Sequence, residues 1–229
     1  KRIPVFDILI GSKEKEYISD CLDTSFIGQG PYVKNFEKKF SEYVNCKHGI
    51  TTTSGTTALH LACKAVGVEE GDEVLVSSST NMACAFAIDY CQAIPIPIDI
   101  EIDTWQMDVK KVEKKINKKT KAIMVVHLFG HPVDMDSIMK IAKKHNLKVI
   151  EDCAEAHGVE YKNKKVGSIG DVGAFSFFAN KTITCGEGGM VVTNSEEIGQ
   201  KAKSLKNLSY GKVNKFMHDD IGFNYRLPN

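Results

Sequence analysis

Apolar segments of strand length alternate along this chain with segments of helical periodicity. Residues 73–77, 122–127 and 147–151 are predicted strands, and residues 134–145 form a predicted helix between the last two. The segment 122–127 is almost wholly apolar, which is typical of a parallel strand buried on both faces. Repeated strand–helix–strand units predict an α/β fold with a mostly parallel sheet sandwiched by helices.

The other predicted elements continue this pattern, and no linker divides the chain. Pro95 and Pro97 assign the predicted strand 94–98 to a sheet edge, because proline cannot donate to a neighbouring strand. We expect one large domain, 1–229, with an N-terminal helical segment, 1–45. The remaining predicted helices are 12–23, 31–44, 58–66, 81–91, 108–117 and 195–205, and the remaining strands are 49–53, 158–161, 174–178 and 189–193.

Charge and cysteine content argue against several functional classes. The chain has 30 basic and 29 acidic side chains, a net charge of +1, so we expect neither a nucleic-acid-binding nor a membrane-surface protein. The seven cysteines form no CxxC pair, and their odd number favours reduced thiols in the cytoplasm over a disulfide framework or a zinc site. No apolar run has the roughly 18 residues of a membrane span, and we expect no signal peptide.

The segment Ser54-Gly55-Thr56-Thr57 lies between a predicted strand and a predicted helix. Backbone N–H groups and the helix dipole make such a position an anion site, and glycine allows a phosphate to approach closely. The alternative is an ordinary helix cap, because Ser and Thr are common there. The segment matches neither the P-loop pattern nor the GxGxxG pattern.

Two acidic residues, Glu151 and Asp152, end the predicted strand 147–151 and begin the loop after it. A carboxylate there could hold a metal ion, a ribose hydroxyl or a protonated ring nitrogen, and the alternative is a solvated turn. Three histidines could add metal ligands, but their spacing is not that of a metal site, so we predict none; they are His127, His131 and His157.

Lys181 follows an aromatic strand and precedes the glycine-rich segment 186–189. Lysine in such a dry position has a lowered pKa and can act as a nucleophile. Together, the three clusters would offer a phosphate cradle, a carboxylate for a pyridinium nitrogen and a lysine for a carbonyl carbon. This combination matches pyridoxal phosphate (PLP), which we predict as the cofactor.

These motifs are similar to those of the DegT/DnrJ/EryC1 family of sugar aminotransferases, PLP enzymes of fold type I. The similarity covers essentially the whole chain. It rests on residues 27–31, 54–59, 151–156, 170–171, 175–177, 181, 186–189 and 222–226. Family chains continue beyond the last of these motifs into a smaller C-terminal domain, so we expect that domain to be absent from this chain.

The resemblance implies a role for each residue of the cofactor site. Lys181 would form the Schiff base with the cofactor and carry the proton in transamination. Asp152 would pair with the pyridine N–H. Ser176 would hold the phosphate together with the backbone amides of Gly55 and Thr56.

The resemblance also implies residues at the margins of this site. Glu155 would lie beside the 3′-oxygen of PLP, where many family members have Gln. Asn224 would reach the phosphate of a neighbouring subunit's cofactor, which implies a homodimer with shared active sites. Asn81 follows Ser79-Thr80 where the family has an aromatic residue or His stacked on the ring, and Asn cannot stack comparably.

Segments 103–107, 127–135 and 177–184 are most similar to perosamine-synthase-type members. Those enzymes transfer an amino group from L-glutamate to C4 of a nucleotide-linked 4-keto-6-deoxyhexose, for glycan or O-antigen biosynthesis. Three alternatives remain: a viosamine-type enzyme using a UDP- or dTDP-sugar, a sugar dehydratase of the same family, and a truncated, non-catalytic regulatory protein. Lys181 argues against the dehydratase, in which that lysine is replaced.

Overall fold

A seven-stranded mixed sheet flanked by helices organises the chain. The computed structural model describes residues 3–211, 213–214, 216–218 and 220–229. The strands are β1 (His48–Thr52), β2 (Glu73–Ser77), β3 (Ile94–Ile98), β4 (Thr120–Val126), β5 (Lys148–Asp152), β6 (Glu160–Tyr161), β7 (Lys164–Lys165), β8 (Val172–Ser176) and β9 (Gly189–Thr193). The helices are α1 (Ser12–Asp23), α2 (Pro31–Tyr43), α3 (Gly55–Ala65), α4 (Ala83–Asp89), α5 (Val109–Val112), α6 (Met135–His145) and α7 (Glu196–Lys206).

The strand order across the main sheet is β1-β9-β8-β5-β4-β2-β3. Strands β3, β2, β4, β5 and β8 pair in parallel, and β9 runs antiparallel to both of its neighbours. Strand β1 therefore points the same way as the parallel group. The predicted α/β fold with a mostly parallel sheet is confirmed.

Strand β3 lies at the edge of the sheet, as its two prolines predict. The N–H of Ile94 donates to the carbonyl of Asp72, which directs the odd-numbered positions of the strand away from β2. Pro95 and Pro97 occupy those positions, so the missing N–H groups fall on the side where no strand of the described residues pairs with β3.

The predicted helix 108–117 is shorter in the structure. Helix α5 has four residues and continues as a 3₁₀ turn over Glu113–Lys115. The Asn117 N–H then donates to Thr120 Oγ1 at 2.9 Å, which turns the chain into β4.

Two predicted strands after Gly158 also differ from the structure. The predicted strand 174–178 begins and ends two residues earlier, because pairing with β5 and β9 extends only to Ser176. The predicted strand 158–161 is the two-residue β6, which pairs with β7 outside the main sheet. Lys162 and Asn163 join them with φ values of 49° and 64°, the left-handed conformation that a two-residue hairpin requires.

Both faces of the sheet are covered by apolar side chains. One cluster joins the sheet to α3, α4 and α7, and a second joins it to α6. A third cluster packs Phe40 of α2 against Phe175 and Phe177 at the end of β8. Within the described ranges, no helix combines the length and the apolar character needed to cross a membrane.

Candidate active site

The carboxyl ends of β1, β5 and β8 meet at one edge of the sheet, where open α/β sheets bind ligands. Gly55, which begins α3 after β1, lies directly against Ser176 at the end of β8. A Cβ atom added to Gly55 would stand 2.6 Å from the Cβ of Ser176, so only glycine fits. Asp152 ends β5, the strand next to β8.

The start of α3 combines a helix cap with available N–H groups. Ser54 caps the helix: its Oγ accepts from the Thr57 N–H at 3.2 Å, and Thr57 Oγ1 accepts from the Ser54 N–H at 3.0 Å. The N–H groups of Gly55 and Thr56 belong to the first turn, where no intrahelical acceptor exists. The interpretation as a helix cap is therefore correct for Ser54 and Thr57. The backbone N–H groups of Gly55 and Thr56 have no acceptor within the helix, and Gly55 lies against Ser176.

Asp152 is a buried carboxylate, 5% exposed. Its Oδ1 accepts from the Ala154 N–H at 2.9 Å, and its Oδ2 accepts from the Cys84 thiol at 2.9 Å. Burial raises the pKa of Asp152, and these two donors and the positive charge of Lys181 oppose that shift. No ion pair within 4.0 Å joins Asp152 to a basic side chain in the described part of the chain. A protonated ring nitrogen would supply the missing counter-charge.

Lys181 lies in the turn after β8, where its N–H donates to the Phe178 carbonyl at 2.9 Å. Its side chain is 17% exposed, and its Nζ stands 3.6 Å from Glu155 Oε1. The other carboxylate oxygen of Glu155 accepts from the Phe129 N–H at 3.1 Å. Glu155 thus joins the lysine to the loop after β4. Phe129 has a φ of 52°, a left-handed conformation that is unusual for a bulky residue.

The side chain of Glu151 points away from that of Asp152, and its hydrogen bonds stabilise the fold. It is fully buried. Its carboxylate accepts from His127 Nε2 at 3.0 Å and from three backbone N–H groups, those of Gly167 at 2.9 Å, Ile169 at 2.8 Å and Gly170 at 2.6 Å. The other ring nitrogen of His127 accepts from the Val133 N–H at 3.2 Å. His127, Glu151 and Cys153 are close enough to surround a metal ion, but the histidine and carboxylate atoms already bind one another and the backbone.

The three histidines considered as metal ligands do not converge. His127 binds Glu151, and the exposed His131 lines a separate surface cleft with Gln106 and Asp134. His157 packs against the aromatic cluster, with ring centroids 5.5 Å from those of both Phe175 and Phe177. Burial lowers the pKa of His157 to about 4, and the positive charge of Lys181 contributes to the shift.

His157→Phe is expected to reduce the acid sensitivity of the fold. Between the ordinary pKa of 6.5 and the lowered value of about 4, the unfolded chain binds a proton at His157 that the folded chain does not. Stability present above pH 6.5 is therefore lost as the pH falls through this window, by up to about 3 kcal/mol.

Urea unfolding at several pH values across this window measures the effect. The pH dependence should be shallower for His157→Phe than for the unaltered chain. The matched variant His131→Phe, at an exposed position, should leave it unchanged. Equal slopes in the His157→Phe variant and the unaltered chain would contradict the assignment.

Among the hydrogen bonds of the described residues, none joins Asn81 or Asn224 to Gly55, Asp152 or Ser176. Asn81 is exposed. Its Oδ1 accepts a hydrogen bond at 2.9 Å from the N–H of Ala83, the first residue of α4. Asn224 is exposed, and its backbone forms an isolated antiparallel β-bridge with that of Asn207. Its predicted contact with a neighbouring subunit's cofactor remains a prediction.

Sequence reasoning missed Cys84 and Phe129 as neighbours of the site. Cys84 is one of seven cysteines, and its 2.9 Å contact with Asp152 joins positions 68 residues apart. Phe129 lies within a segment that carries the family resemblance, but no local pattern predicts that its N–H reaches Glu155. The glycine after Phe129 is the one local signal of a tight turn there.

Comparison with known proteins identifies the family of this chain. The model of the DegT/DnrJ/EryC1/StrS aminotransferase family matches residues 9–229. GDP-perosamine synthase of Escherichia coli O157:H7 is 50% identical over 100% of this chain and 63% of that protein, and the enzyme of the same name from Vibrio cholerae is 45% identical over 99% and 62%. A dTDP-3-amino-3,6-dideoxy-alpha-D-galactopyranose transaminase from Aneurinibacillus thermoaerophilus is 44% identical over 93% of this chain and 58% of that protein.

Solved structures show the same fold. The aminotransferase from Psychrobacter cryohalolentis superposes with a TM-score of 0.93 at 35% identity, over 97% of this chain and 60% of that one. Spr1654 from Streptococcus pneumoniae, in its PLP form, superposes with a TM-score of 0.94 at 28% identity, over 100% of this chain and 64% of that one. The chain thus spans less than two thirds of the length of these proteins.

Proposed function

Because the chain belongs to the DegT/DnrJ/EryC1/StrS aminotransferase family, we propose that it acts as a PLP-dependent nucleotide-sugar aminotransferase. The observation that carries the cofactor proposal is Asp152, a buried carboxylate without a basic partner among the described residues, at the same edge as Lys181 and the first turn of α3. These residues fit the three polar parts of PLP, which are its ring nitrogen, its aldehyde and its phosphate.

Each of these residues has a definite task. When bound, PLP supplies a ring that withdraws electrons from the substrate carbon attached to nitrogen. The N–H groups of Gly55 and Thr56, with the hydroxyl of Ser176, would bind the phosphate. Asp152 would hold the proton on the ring nitrogen.

Lys181 moves the proton that transamination requires. Its Nζ would accept a proton from the substrate carbon and later release it, and the same atom would serve the amino donor and the keto sugar in turn. Glu155, 3.6 Å from Nζ, keeps the lysine over the site. The Glu155–Phe129 hydrogen bond of 3.1 Å anchors that carboxylate in turn.

The proposed substrates are L-glutamate and a nucleotide-linked 4-keto-6-deoxyhexose, and the product is a perosamine-type 4-amino-4,6-dideoxy sugar for glycan or O-antigen synthesis. Identities of 50% and 45% to two GDP-perosamine synthases support this choice. The second candidate is another nucleotide-sugar aminotransferase, viosamine-type or similar. The 44% identity to a dTDP-sugar transaminase favours it.

A homodimer with shared active sites is part of the proposal. The segment that carries Asn224 is held from both sides: Tyr225 Oη lies 2.9 Å from His60 Nδ1, and Arg226 Nη1 donates to Asn207 Oδ1 at 3.0 Å. These contacts leave Asn224 exposed, where a second subunit could approach it.

We also propose a single PLP-binding domain, 1–229. The cytoplasm is the proposed compartment, which suits a chain with seven cysteines and no CxxC pair.

A panel of nucleotide-linked 4-keto sugars tests the proposed function. The protein is incubated with PLP, L-glutamate and each sugar, and mass spectrometry follows replacement of the ketone oxygen by an amino group. Turnover of a GDP-linked sugar is expected, and turnover of only UDP- or dTDP-linked sugars would favour the second candidate. A protein that binds PLP but does not react with glutamate would overturn the proposal and favour the non-catalytic alternative.

A further inference from the structure

The thiol of Cys84 lies against the carboxylate that faces the proposed ring-nitrogen position. Cys84 is fully buried in α4, and its Sγ is 2.9 Å from Asp152 Oδ2. Thr80 Oγ1 stands 3.1 Å from the same sulfur atom. The other carboxylate oxygen of Asp152 accepts from the Ala154 N–H at 2.9 Å. Each oxygen of Asp152 therefore has one donor from the protein and keeps lone-pair capacity for a ligand.

We propose that Cys84 is a positioning residue, whose S–H group keeps Asp152 ionised and oriented toward the ring nitrogen of the cofactor. This inference rests on the proposed function, because it assumes that Asp152 pairs with that nitrogen. It assigns a role to a side chain that no sequence motif distinguishes from the other six cysteines.

The direction of the hydrogen bond follows from the surroundings of the thiol. Burial and the negative charge of Asp152 both raise the pKa of Cys84 well above its ordinary value. The thiol therefore remains protonated at neutral pH and donates to the carboxylate. The hydroxyl of Thr80 gives the sulfur a second polar neighbour, which restricts the rotation of the side chain.

The effect on the cofactor follows from the competition for one proton. In a buried pair of a carboxylate and a ring nitrogen, the proton resides on the group with the higher pKa. Burial raises the pKa of Asp152 and so draws the proton toward the carboxylate, whereas the hydrogen bond from Cys84 lowers it. Cys84 thus keeps the proton on the ring nitrogen, where it makes the ring a better electron acceptor.

Three variants separate this role from ordinary packing. Cys84→Ala removes the donor, Cys84→Ser restores one, and Cys63→Ala truncates a control thiol on α3 that is also fully buried. Binding of PLP is measured by equilibrium titration, and the protonation of the ring nitrogen by ¹⁵N NMR of ring-labelled PLP. Asp152→Asn serves as the reference for loss of the carboxylate.

We expect Cys84→Ala to bind PLP about tenfold more weakly and to move the ring-nitrogen resonance toward the unprotonated position. Cys84→Ser should restore both within about threefold, and Cys63→Ala should leave the resonance unchanged. If Asp152→Asn moves the resonance but Cys84→Ala does not, the inference is wrong and the proposed function stands. If the unaltered protein does not bind PLP, the proposed function itself fails.

A measurement without cofactor tests the same hydrogen bond. The infrared S–H band of Cys84 is isolated by subtracting the spectrum of Cys84→Ser from that of the unaltered protein. Donation to Asp152 should place this band below the frequency of a free thiol, and Asp152→Ala should raise it. A band that does not respond to Asp152→Ala would overturn the inference.

Discussion

Lys181→Ala is expected to abolish the covalent attachment of PLP and to reduce turnover about 1,000-fold or more. Its Nζ is the amine that the turn after β8 places beside Glu155, at 3.6 Å, with the side chain only 17% exposed. Alanine offers neither a nucleophile nor a proton carrier. Borohydride reduction followed by peptide mapping detects the attachment, and product formation from a keto sugar measures turnover.

Two further lysine variants sharpen this prediction. Lys181→Arg retains the positive charge near Glu155, but arginine stays protonated and cannot attack an aldehyde, so this variant should be as inactive as Lys181→Ala. Lys165→Ala is the matched control, because Lys165 is 20% exposed and pairs with Glu160 at 2.8 Å. It should retain the adduct. An adduct that maps to Lys165, or that survives Lys181→Ala, would contradict the assignment.

Asp152→Asn is expected to reduce turnover by roughly 100-fold to 1,000-fold and to weaken PLP binding. The amide has the same shape and can still accept from the Ala154 N–H, but it cannot balance the charge of a protonated ring nitrogen. Removing one partner of a buried ion pair costs about 3–5 kcal/mol, and about 3–4 kcal/mol corresponds to the stated loss of turnover. Steady-state kinetics and PLP titration measure the two effects.

The stability of the cofactor-free protein should change in the opposite direction. Because burial raises the pKa of Asp152, the folded chain retains a proton that the unfolded chain releases as the pH rises above the ordinary value of 3.8. Stability from this group is therefore present at low pH and is lost as the pH rises through the folded pKa. At neutral pH, Asp152→Asn should unfold at an equal or higher urea concentration than the unaltered chain.

Glu151→Gln provides the contrast one residue away. Glu151 accepts from His127 and from three backbone N–H groups, so its replacement by an amide should destabilise the fold without moving the ring-nitrogen resonance of bound PLP. If Asp152→Asn instead destabilised the cofactor-free chain and left turnover intact, the two carboxylates would have exchanged roles and the proposed site would be wrong.

The main sheet and the positions at which polar residues follow its strands could be predicted from the amino-acid sequence. Apolar strand segments that alternate with helical ones require parallel crossovers, and two prolines confine β3 to an edge. Asp152 and Ser176 end β5 and β8, and Gly55 follows β1, which runs in the same direction. Their meeting at one edge is therefore a consequence of topology, and it could be predicted before any contact was known.

The family resemblance assigned Asp152 to the ring nitrogen, but only the three-dimensional packing shows how differently the two adjacent carboxylates are surrounded. Successive side chains on a strand point to opposite faces, and the sequence cannot say which face is which until the neighbouring elements are placed. The backbone N–H groups of Gly167, Ile169 and Gly170 surround Glu151, whereas Asp152 meets the thiol of Cys84.

The same limit applies to the histidines and to Cys84. From the sequence, His157 could be a metal ligand, yet its ring packs among phenylalanines contributed by α2 and β8. Cys84 reaches Asp152 from a helix 68 positions earlier in the chain. Local propensity and motif spacing describe short stretches of chain, and such contacts arise only when packing brings distant stretches together.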